Sequence, residues 1–161
     1  MAVFGFSSGL PFLLVAGTLA YWLKERGVVL SEITMIASAG MTYALKFLWA
    51  PLLDHWRLPG FRKLGQRRGW LLFAQLAVAV GLLAMAWLTP ARLSPFIAAT
   101  LVVAFFGATQ DIAIDAYRIE IAPIEAQGAL VATYSLGYRI GLLTAGALAL
   151  MDQQEPLAAE I

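Results

Sequence analysis

The sequence predicts an all-α membrane protein, a polytopic bundle of about five transmembrane helices in a single membrane domain, residues 1–161. Its composition is the first reason: 61% of residues are hydrophobic and 13% are charged, whereas a soluble domain carries about 25% charged residues. The second reason is the distribution of the charges, because they fall between apolar runs of about 20 residues, long enough to cross a ~30 Å hydrocarbon core.

The predicted spans follow one another with short polar connections. In chain order they are Val3–Leu23, Glu32–Leu53, Trp70–Leu88, Pro95–Arg118 and Gly128–Met151. Ser31 is the expected N-cap of the second span, and a return segment from Tyr117 to Gln127, broken by Pro123, is expected before the fifth. No basic region precedes the first run, so it is expected to remain as a membrane helix and not to act as a secretory signal.

Two spans carry pairs of glycines four residues apart. Gly5 and Gly9 lie in the first span, and Gly137 and Gly141 lie in the fifth. Such pairs allow the backbones of two membrane helices to approach closely. Ordinary internal packing is therefore expected at both, although assembly with another membrane protein is an alternative.

One connection is strongly basic, and it sets the predicted orientation. Five of the eleven cations lie between the second and third spans: Arg57, Arg62, Lys63, Arg67 and Arg68. The opposite connections carry only Lys24, Arg26 and Arg92. By the positive-inside rule the basic loop and the N-terminus are cytoplasmic.

The most informative stretch is Gly107–Glu120, at the end of the fourth span. Asp111, Asp115 and Arg118 are spaced i, i+4, i+7 there and share one helix face. Ionisable groups at that depth cost roughly 2.5–3.5 kcal/mol each on insertion scales and seldom face lipid. This face must therefore be covered by other helices or used for function.

Depth estimates bring further charges to this face. At 1.5 Å per residue, Lys46 of the second span lies level with Asp111, and Arg139 of the fifth span lies nearer the midplane. We therefore expect Lys46 to pair with Asp111, and Asp115 with Arg118. Two interpretations remain open. Either these charges form a closed network that holds the helices together, or they line a cavity that water reaches. In such a cavity, separating Asp111 from Lys46 would make Asp111 a proton acceptor.

Several classes of function are disfavoured. The chain has no cysteine and one histidine, His55, so no metal site or other cofactor is expected. A net charge of +1 implies no nucleic-acid partner. Asp111 and Asp115 resemble half of the Asp-rich sites of membrane prenyltransferases, but no second acidic segment is present to complete a Mg²⁺ site. An enzyme is therefore not expected.

A substrate site is expected near the membrane midplane. Arg139 suits an anionic group, and Tyr134 and Tyr138 could contact a sugar or hydrogen-bond a peptide. Gln110 and Tyr43 are further polar candidates in the same region. The residues alone indicate an anionic, fairly polar substrate, so acetyl-CoA would satisfy the arginine equally well.

Motifs along nearly the whole chain resemble the AmpG-type muropeptide permeases of the major facilitator superfamily, in the branch shared with acetyl-CoA transporters. They are GFSSGLPFLLVAG at residues 5–17, KFLWAPLLD at 46–54, RRGWLL at 67–72, ATQDIAIDA at 108–116 and GYRIGLL at 137–143. The resemblance implies a proton-driven importer of anhydromuropeptides in the inner membrane of Gram-negative bacteria, serving peptidoglycan recycling and, in some species, β-lactamase induction. It also matches Lys46, Asp111, Asp115 and Arg139 to the family's membrane-embedded charges.

The sequence departs from the superfamily in two respects. Asp54 with Arg67 and Arg68 looks like the gating loop between the second and third helices, but Ala50 replaces the usual glycine and 58–65 widens the spacing. Major facilitators also have about twelve spans in two halves. The chain is therefore expected to be part of an N-terminal half, unable to transport without the remainder; a non-transporting membrane scaffold is the alternative.

Overall fold

The computed structural model describes residues 1–15, 19–25, 27–56, 58–60, 64–88 and 93–158. Within these ranges the backbone forms helices and turns and no strand, which confirms the all-α class. The helices are α1 Ala2–Leu13, α2 Leu19–Glu25, α3 Leu30–Ala37, α4 Met41–Leu45, α5 Ala50–His55, α6 Gln66–Trp87, α7 Leu93–Ile121 and α8 Ile124–Ala158. Of the basic loop, Arg57, Arg62 and Lys63 lie outside the described residues, as do Arg26 and Arg92 of the opposite connections.

Two helices are long and apolar enough to cross a membrane. They are Gln66–Trp87 in α6, with a mean hydropathy of 2.0, and Ser94–Ile121 in α7, with 1.8. They correspond to the third and fourth predicted spans, and α7 extends beyond both predicted ends. Two of the five predicted spans are thus matched by helices that are both long and apolar enough to cross a membrane.

The second predicted span is not one uninterrupted α-helix. Two 3-10 turns, Ser38–Gly40 and Lys46–Leu48, separate α3, α4 and α5. Short 3-10 segments inside a helix often mark a hinge or local strain. Here the second turn places Lys46 next to α7.

Two predicted connections were wrong in detail. The return segment predicted from Tyr117 to Gln127 shrinks to Ala122 and Pro123, because both flanking helices extend towards the proline. Proline cannot continue the hydrogen-bond ladder of α7, but it is tolerated just before the start of α8. The N-cap before α3 is Val29 and not Ser31, and its side chain makes no capping hydrogen bond.

Helices α1 and α8 pack through both predicted glycine pairs. A Cβ at Gly5 or Gly9 would overlap the carbonyl oxygen of Tyr134 or Tyr138, and a Cβ at Gly137 or Gly141 would overlap that of Ala2 or Phe6. The contact is reciprocal, since each helix supplies glycines against the other's backbone. Close internal packing, the expected role of these glycines, is therefore confirmed.

Helices α6 and α7 form a second packed pair, and α4 and α5 rest on α7. Val78 of α6 and Val103 of α7 belong to one buried apolar cluster, with Tyr43 packed at its edge. Nearer the basic loop, Leu53, Trp70 and Ile114 form another. Helix α7 thus lies at the centre, and its polar face meets α1, α8 and the 3-10 turn of Lys46.

Candidate functional site

Asp111 is the centre of the polar face of α7. Its Oδ2 lies 3.9 Å from Lys46 Nζ, and its Oδ1 accepts a hydrogen bond of 3.3 Å from the Tyr134 hydroxyl of α8. The Asp111 side chain is 14% exposed and that of Lys46 is 36% exposed. The predicted pairing of Lys46 with Asp111 is thus present, as a long and partly open ion pair.

Asp115, one turn further along α7, pairs with its own helix. Arg118 Nη2 lies 3.4 Å from Asp115 Oδ1, in the i, i+3 relation that the sequence predicts. Asp115 is 49% exposed and Arg118 is 18% exposed. The buried Nε of Arg118 has no hydrogen-bond partner among the described residues. This pair leaves one face of the Asp115 carboxylate open.

Both carboxylates face a cavity of about 360 Å³ between α7, α8 and the turn that carries Lys46. Its lining contains two acids, two cations and three hydroxyl groups: Lys46, Asp111, Asp115, Tyr134, Ser135, Tyr138 and Arg139. The rings of Tyr134 and Tyr138 stack with centroids 6.3 Å apart and planes at 29°. Six sequence-predicted residues, Arg139 among them, therefore surround one space, and Ser135 is an addition.

Two predicted substrate residues do not line this cavity. Gln110 is 1% exposed, and its amide donates to Ser7 Oγ at 3.1 Å and Ser8 Oγ at 3.2 Å on α1. Tyr43 packs edge-on against Phe12, with ring centroids 5.1 Å apart. The Tyr43 hydroxyl is buried without a hydrogen-bond partner in the described ranges. A substrate contact by Gln110 or Tyr43 stays a prediction.

The two serines of α1 were missed by the sequence reasoning, although a signal was available. Ser8 lies three residues after Gly5 and one before Gly9, so it shares the face that the glycines mark for close helix contact. A small polar side chain on such a face is expected to hydrogen-bond across it.

A second group of charges joins the ends of three helices near the basic loop. Arg67 of α6 contacts Asp54 Oδ1 of α5 at 2.5 Å and Glu120 Oε1 of α7 at 2.8 Å. Arg68 Nη2 donates to the Tyr117 hydroxyl at 3.2 Å. Glu120 was not predicted as a member, because only proximity in the fold shows that the end of α7 reaches the start of α6.

The side chains that line the cavity can exchange ion-pair and hydrogen-bond partners. No group of three or more His, Asp or Glu that could hold a metal ion occurs in the part of the chain that the structure describes. A carboxylate that shares its two oxygens between an ammonium and a phenol can release one partner and keep the other. Such a group can accept a proton or yield its cation to an incoming anion.

Long apolar helices beside an open, charged cavity are typical of membrane transport proteins. The family model of acetyl-coenzyme A transporter 1 matches residues 1–96, and the chain belongs to that transporter family. No solved structure matches the chain.

Named relatives of the chain are permeases and transporters. The anhydromuropeptide permease of Escherichia coli (strain K12) is 42% identical over 151 residues, which cover 93% of this chain and 30% of the relative. A candidate transporter of Rickettsia conorii (strain ATCC VR-613 / Malish 7), AmpG 4, is 40% identical over 149 residues, 92% of this chain and 36% of the relative. These names confirm the predicted resemblance to AmpG-type permeases and the expectation that the chain is not an enzyme.

The chain spans about a third of the length of these curated relatives.

Proposed function

We propose that this chain forms part of a proton-coupled permease that moves anhydromuropeptides from the periplasm to the cytoplasm for peptidoglycan recycling. The observation that carries the proposal is the cavity in which Asp111 lies between Lys46 and Tyr134. The names of the relatives support the substrate, since the Escherichia coli protein is an anhydromuropeptide permease. Import of these compounds would also link the protein to β-lactamase induction.

Proton coupling is assigned to Asp111. It is the more enclosed of the two cavity carboxylates, at 14% exposure against 49% for Asp115. Its cation comes from a different helix, so movement of the Lys46 segment relative to α7 would separate the pair. Asp115 is paired within its own helix and keeps its cation through such a movement. Asp111 is thus the carboxylate whose proton affinity would change during transport.

Substrate recognition is assigned to Arg139 with the stacked tyrosines of α8. Arg139 lines the cavity and makes no ion pair in the described part of the chain. A free guanidinium suits a bidentate contact with a carboxylate or phosphate. The Tyr134 and Tyr138 rings offer aromatic surface and hydroxyl groups, as a sugar-bearing ligand requires.

Acetyl-CoA is the competing substrate, because the matching family model carries that name. It would also present anionic groups to Arg139. The anhydromuropeptide permease of Escherichia coli aligns with 93% of the chain, whereas the acetyl-coenzyme A transporter family model matches residues 1–96 alone. We therefore place the muropeptide first.

The architecture we propose is an inner-membrane bundle with five spans and a cytoplasmic N-terminus. Exposed apolar side chains such as Val80, Leu83 and Leu143, 63–74% exposed, would face lipid or the remainder of the transporter. That remainder would supply the second wall of the cavity, as in transporters built from two halves. The predicted gating loop would act through the ion pairs of Arg67 with Asp54 and Glu120, and Arg68 would lie beside them.

Uptake into proteoliposomes tests this proposal. The complete gene product would be reconstituted, and labelled anhydromuropeptide and labelled acetyl-CoA would be offered separately with an imposed inward proton gradient. We expect accumulation of the muropeptide, its loss on adding an uncoupler, and no accumulation of acetyl-CoA. Accumulation of acetyl-CoA alone, or uptake indifferent to the gradient, would contradict the proposal.

A further inference from the structure

Helix α8 carries three polar side chains that line the cavity and have no hydrogen-bond or ion-pair partner among the described residues. They are Ser135, Tyr138 and Arg139. The other lining residues already bond to a side chain: Lys46 and Tyr134 to Asp111, and Asp115 to Arg118. The cavity thus has a paired side, which holds the ion pairs, and an open side on α8, whose donors are free for a ligand.

The three residues of the open side share one face of α8. Their spacing is i, i+3, i+4, so they lie within about one turn of one another. Side chains of a helix lean towards its N-terminus, and a long side chain covers the turn before its own Cα. The long side chain of Arg139 therefore extends over the turn that begins at Ser135. A single ligand group can then reach both the guanidinium and the Ser135 hydroxyl.

Ser135 differs from the two threonines of the same helix. The Thr133 hydroxyl donates to the Ala129 carbonyl at 2.7 Å, and the Thr144 hydroxyl donates to the Ile140 carbonyl at 2.8 Å. Such bonds to the carbonyl four residues earlier are common for serine and threonine within a helix. The exposed Ser135 makes no such bond within the described ranges, so its proton is free for water or for a ligand.

The donors of the open side determine the chemistry of the ligand group. A guanidinium carries donors alone, so the group beside Arg139 has to supply acceptors. The carboxylates of the cavity already have cations, since Asp111 lies beside Lys46 and Asp115 beside Arg118. An ionised carboxylate or a phosphate has more lone pairs than a bidentate arginine uses. The anion therefore comes from the ligand, and it keeps a lone pair for a neighbouring hydroxyl.

We propose that Ser135 and Arg139 form a clamp for the anionic group of the substrate, with the Ser135 hydroxyl donating to the carboxylate or phosphate that Arg139 binds. The inference rests on the proposed function, which assigns substrate recognition to Arg139. It adds Ser135 as a specificity-determining residue and names the chemical class of the group that both donors bind. The clamp shares no residue with the Lys46–Asp111 pair, so an anion can bind to it while that pair stays intact.

Equilibrium binding tests the clamp without a proton gradient. The complete gene product would be purified into lipid nanodiscs, and labelled anhydromuropeptide and labelled acetyl-CoA would be titrated separately. Ser135→Ala is expected to raise Kd of the probe that binds about tenfold, as the loss of one hydrogen bond to a charged group requires. Ser135→Thr keeps the hydroxyl and should retain most of the affinity. Ser135→Cys, a weak donor of similar size, should weaken binding as Ser135→Ala does and covers a folding failure of that variant.

A double-mutant cycle shows whether the two donors hold the same anion. Arg139→Gln removes the main contact, so adding Ser135→Ala to it is expected to change Kd by less than about twofold. Thr133→Ala is the matched control on the same helix, and it should leave Kd unchanged because the Thr133 hydroxyl is occupied by the Ala129 carbonyl.

Wild-type affinity in Ser135→Ala, or losses from Ser135→Ala and Arg139→Gln that multiply in the double variant, would overturn the proposal. Failure of the wild type to bind either probe would overturn it as well. Binding of acetyl-CoA alone, with the same non-additive losses, would support the clamp with a phosphate as its anion and contradict the muropeptide as substrate. Muropeptide binding with these losses but without uncoupler-sensitive uptake would support the clamp and contradict the proposed proton coupling.

Discussion

The backbone carbonyl of Tyr134 lies directly over the Cα of Gly5, where a single added methyl group would overlap it. The same tyrosine donates its hydroxyl to Asp111. The packing of α1 on α8 and the geometry of the charged cavity are therefore linked through one residue. A change that pushes the two helices apart displaces Tyr134 from the carboxylate it contacts.

Gly5→Ala is expected to destabilise the protein by about 1–3 kcal/mol, because overpacking at a close backbone contact forces the helices to shift. Gly137→Ala should behave alike, since its Cβ would meet the Ala2 carbonyl. Thermal unfolding in detergent measures the effect. Gly128→Ala is the control, because nothing lies within 4 Å of an added Cβ there. Equal melting temperatures for Gly5→Ala and Gly128→Ala would argue against tight α1–α8 packing.

Lys46→Ala is expected to reduce the yield of folded protein, because it leaves Asp111 without its cation at a cost of roughly 1–3 kcal/mol. Adding Asp111→Asn removes the unpaired charge and should restore the yield while transport stays absent. Fluorescence-detected size exclusion of tagged variants measures this, with Lys24→Ala at an exposed position as the control. If the double variant folds no better than Lys46→Ala alone, the two charges do not stabilise one another.

Arg67→Ala and Glu120→Ala are expected to be non-additive. In both ion pairs of Arg67 the acidic side chain is about half exposed, at 51% for Asp54 and 54% for Glu120. Because solvent weakens such pairs, we expect a coupling energy of about 1 kcal/mol or less. A double-mutant cycle on denaturation in detergent measures it. Glu125→Ala is the control partner, because the exposed Glu125 makes no ion pair within the described ranges. Strict additivity of the Arg67 and Glu120 changes would show that their contact contributes nothing.

Arg139→Gln is expected to raise KM for an anionic substrate at least tenfold with a smaller effect on kcat, as loss of a binding contact requires. Arg139→Lys should recover part of the loss, since an ammonium keeps the charge without the bidentate geometry. Initial uptake rates across substrate concentrations separate the two parameters. Thr133→Ala on the same helix is the control, because the Thr133 hydroxyl donates to the Ala129 carbonyl and to no other group among the described residues. An unchanged KM in Arg139→Gln would remove this residue from the substrate site.

Sequence reasoning succeeded where a local pattern has one physical solution. The paired glycines of α1 and α8 predicted a close contact, and Asp111, Asp115 and Arg118 were placed on one face by helical spacing alone. The pairing of Lys46 with Asp111 was predicted from one observation, that the two residues lie at the same depth along two different apolar runs.

The sequence was less informative where contacts join distant parts of the chain. Glu120 approaches Arg67 because the end of α7 lies next to the start of α6. No pattern in either segment predicts that the two helix ends meet. The 3-10 turns at Ser38–Gly40 and Lys46–Leu48 were missed because neither turn contains a proline that would mark a break in the predicted helix. Helix ends near Pro123 were misplaced since a proline fixes the break but not how far each helix extends towards it.

The central claim is that Asp111 couples transport to protons, and accumulation against a gradient tests it most directly. Proteoliposomes containing wild-type or Asp111→Asn complete gene product would be loaded with a proton gradient and offered labelled anhydromuropeptide. Wild-type vesicles should concentrate the label and lose it on adding an uncoupler, whereas Asp111→Asn should exchange label with internal unlabelled substrate without concentrating it. Uncoupler-sensitive accumulation by Asp111→Asn equal to that of the wild type would contradict the account.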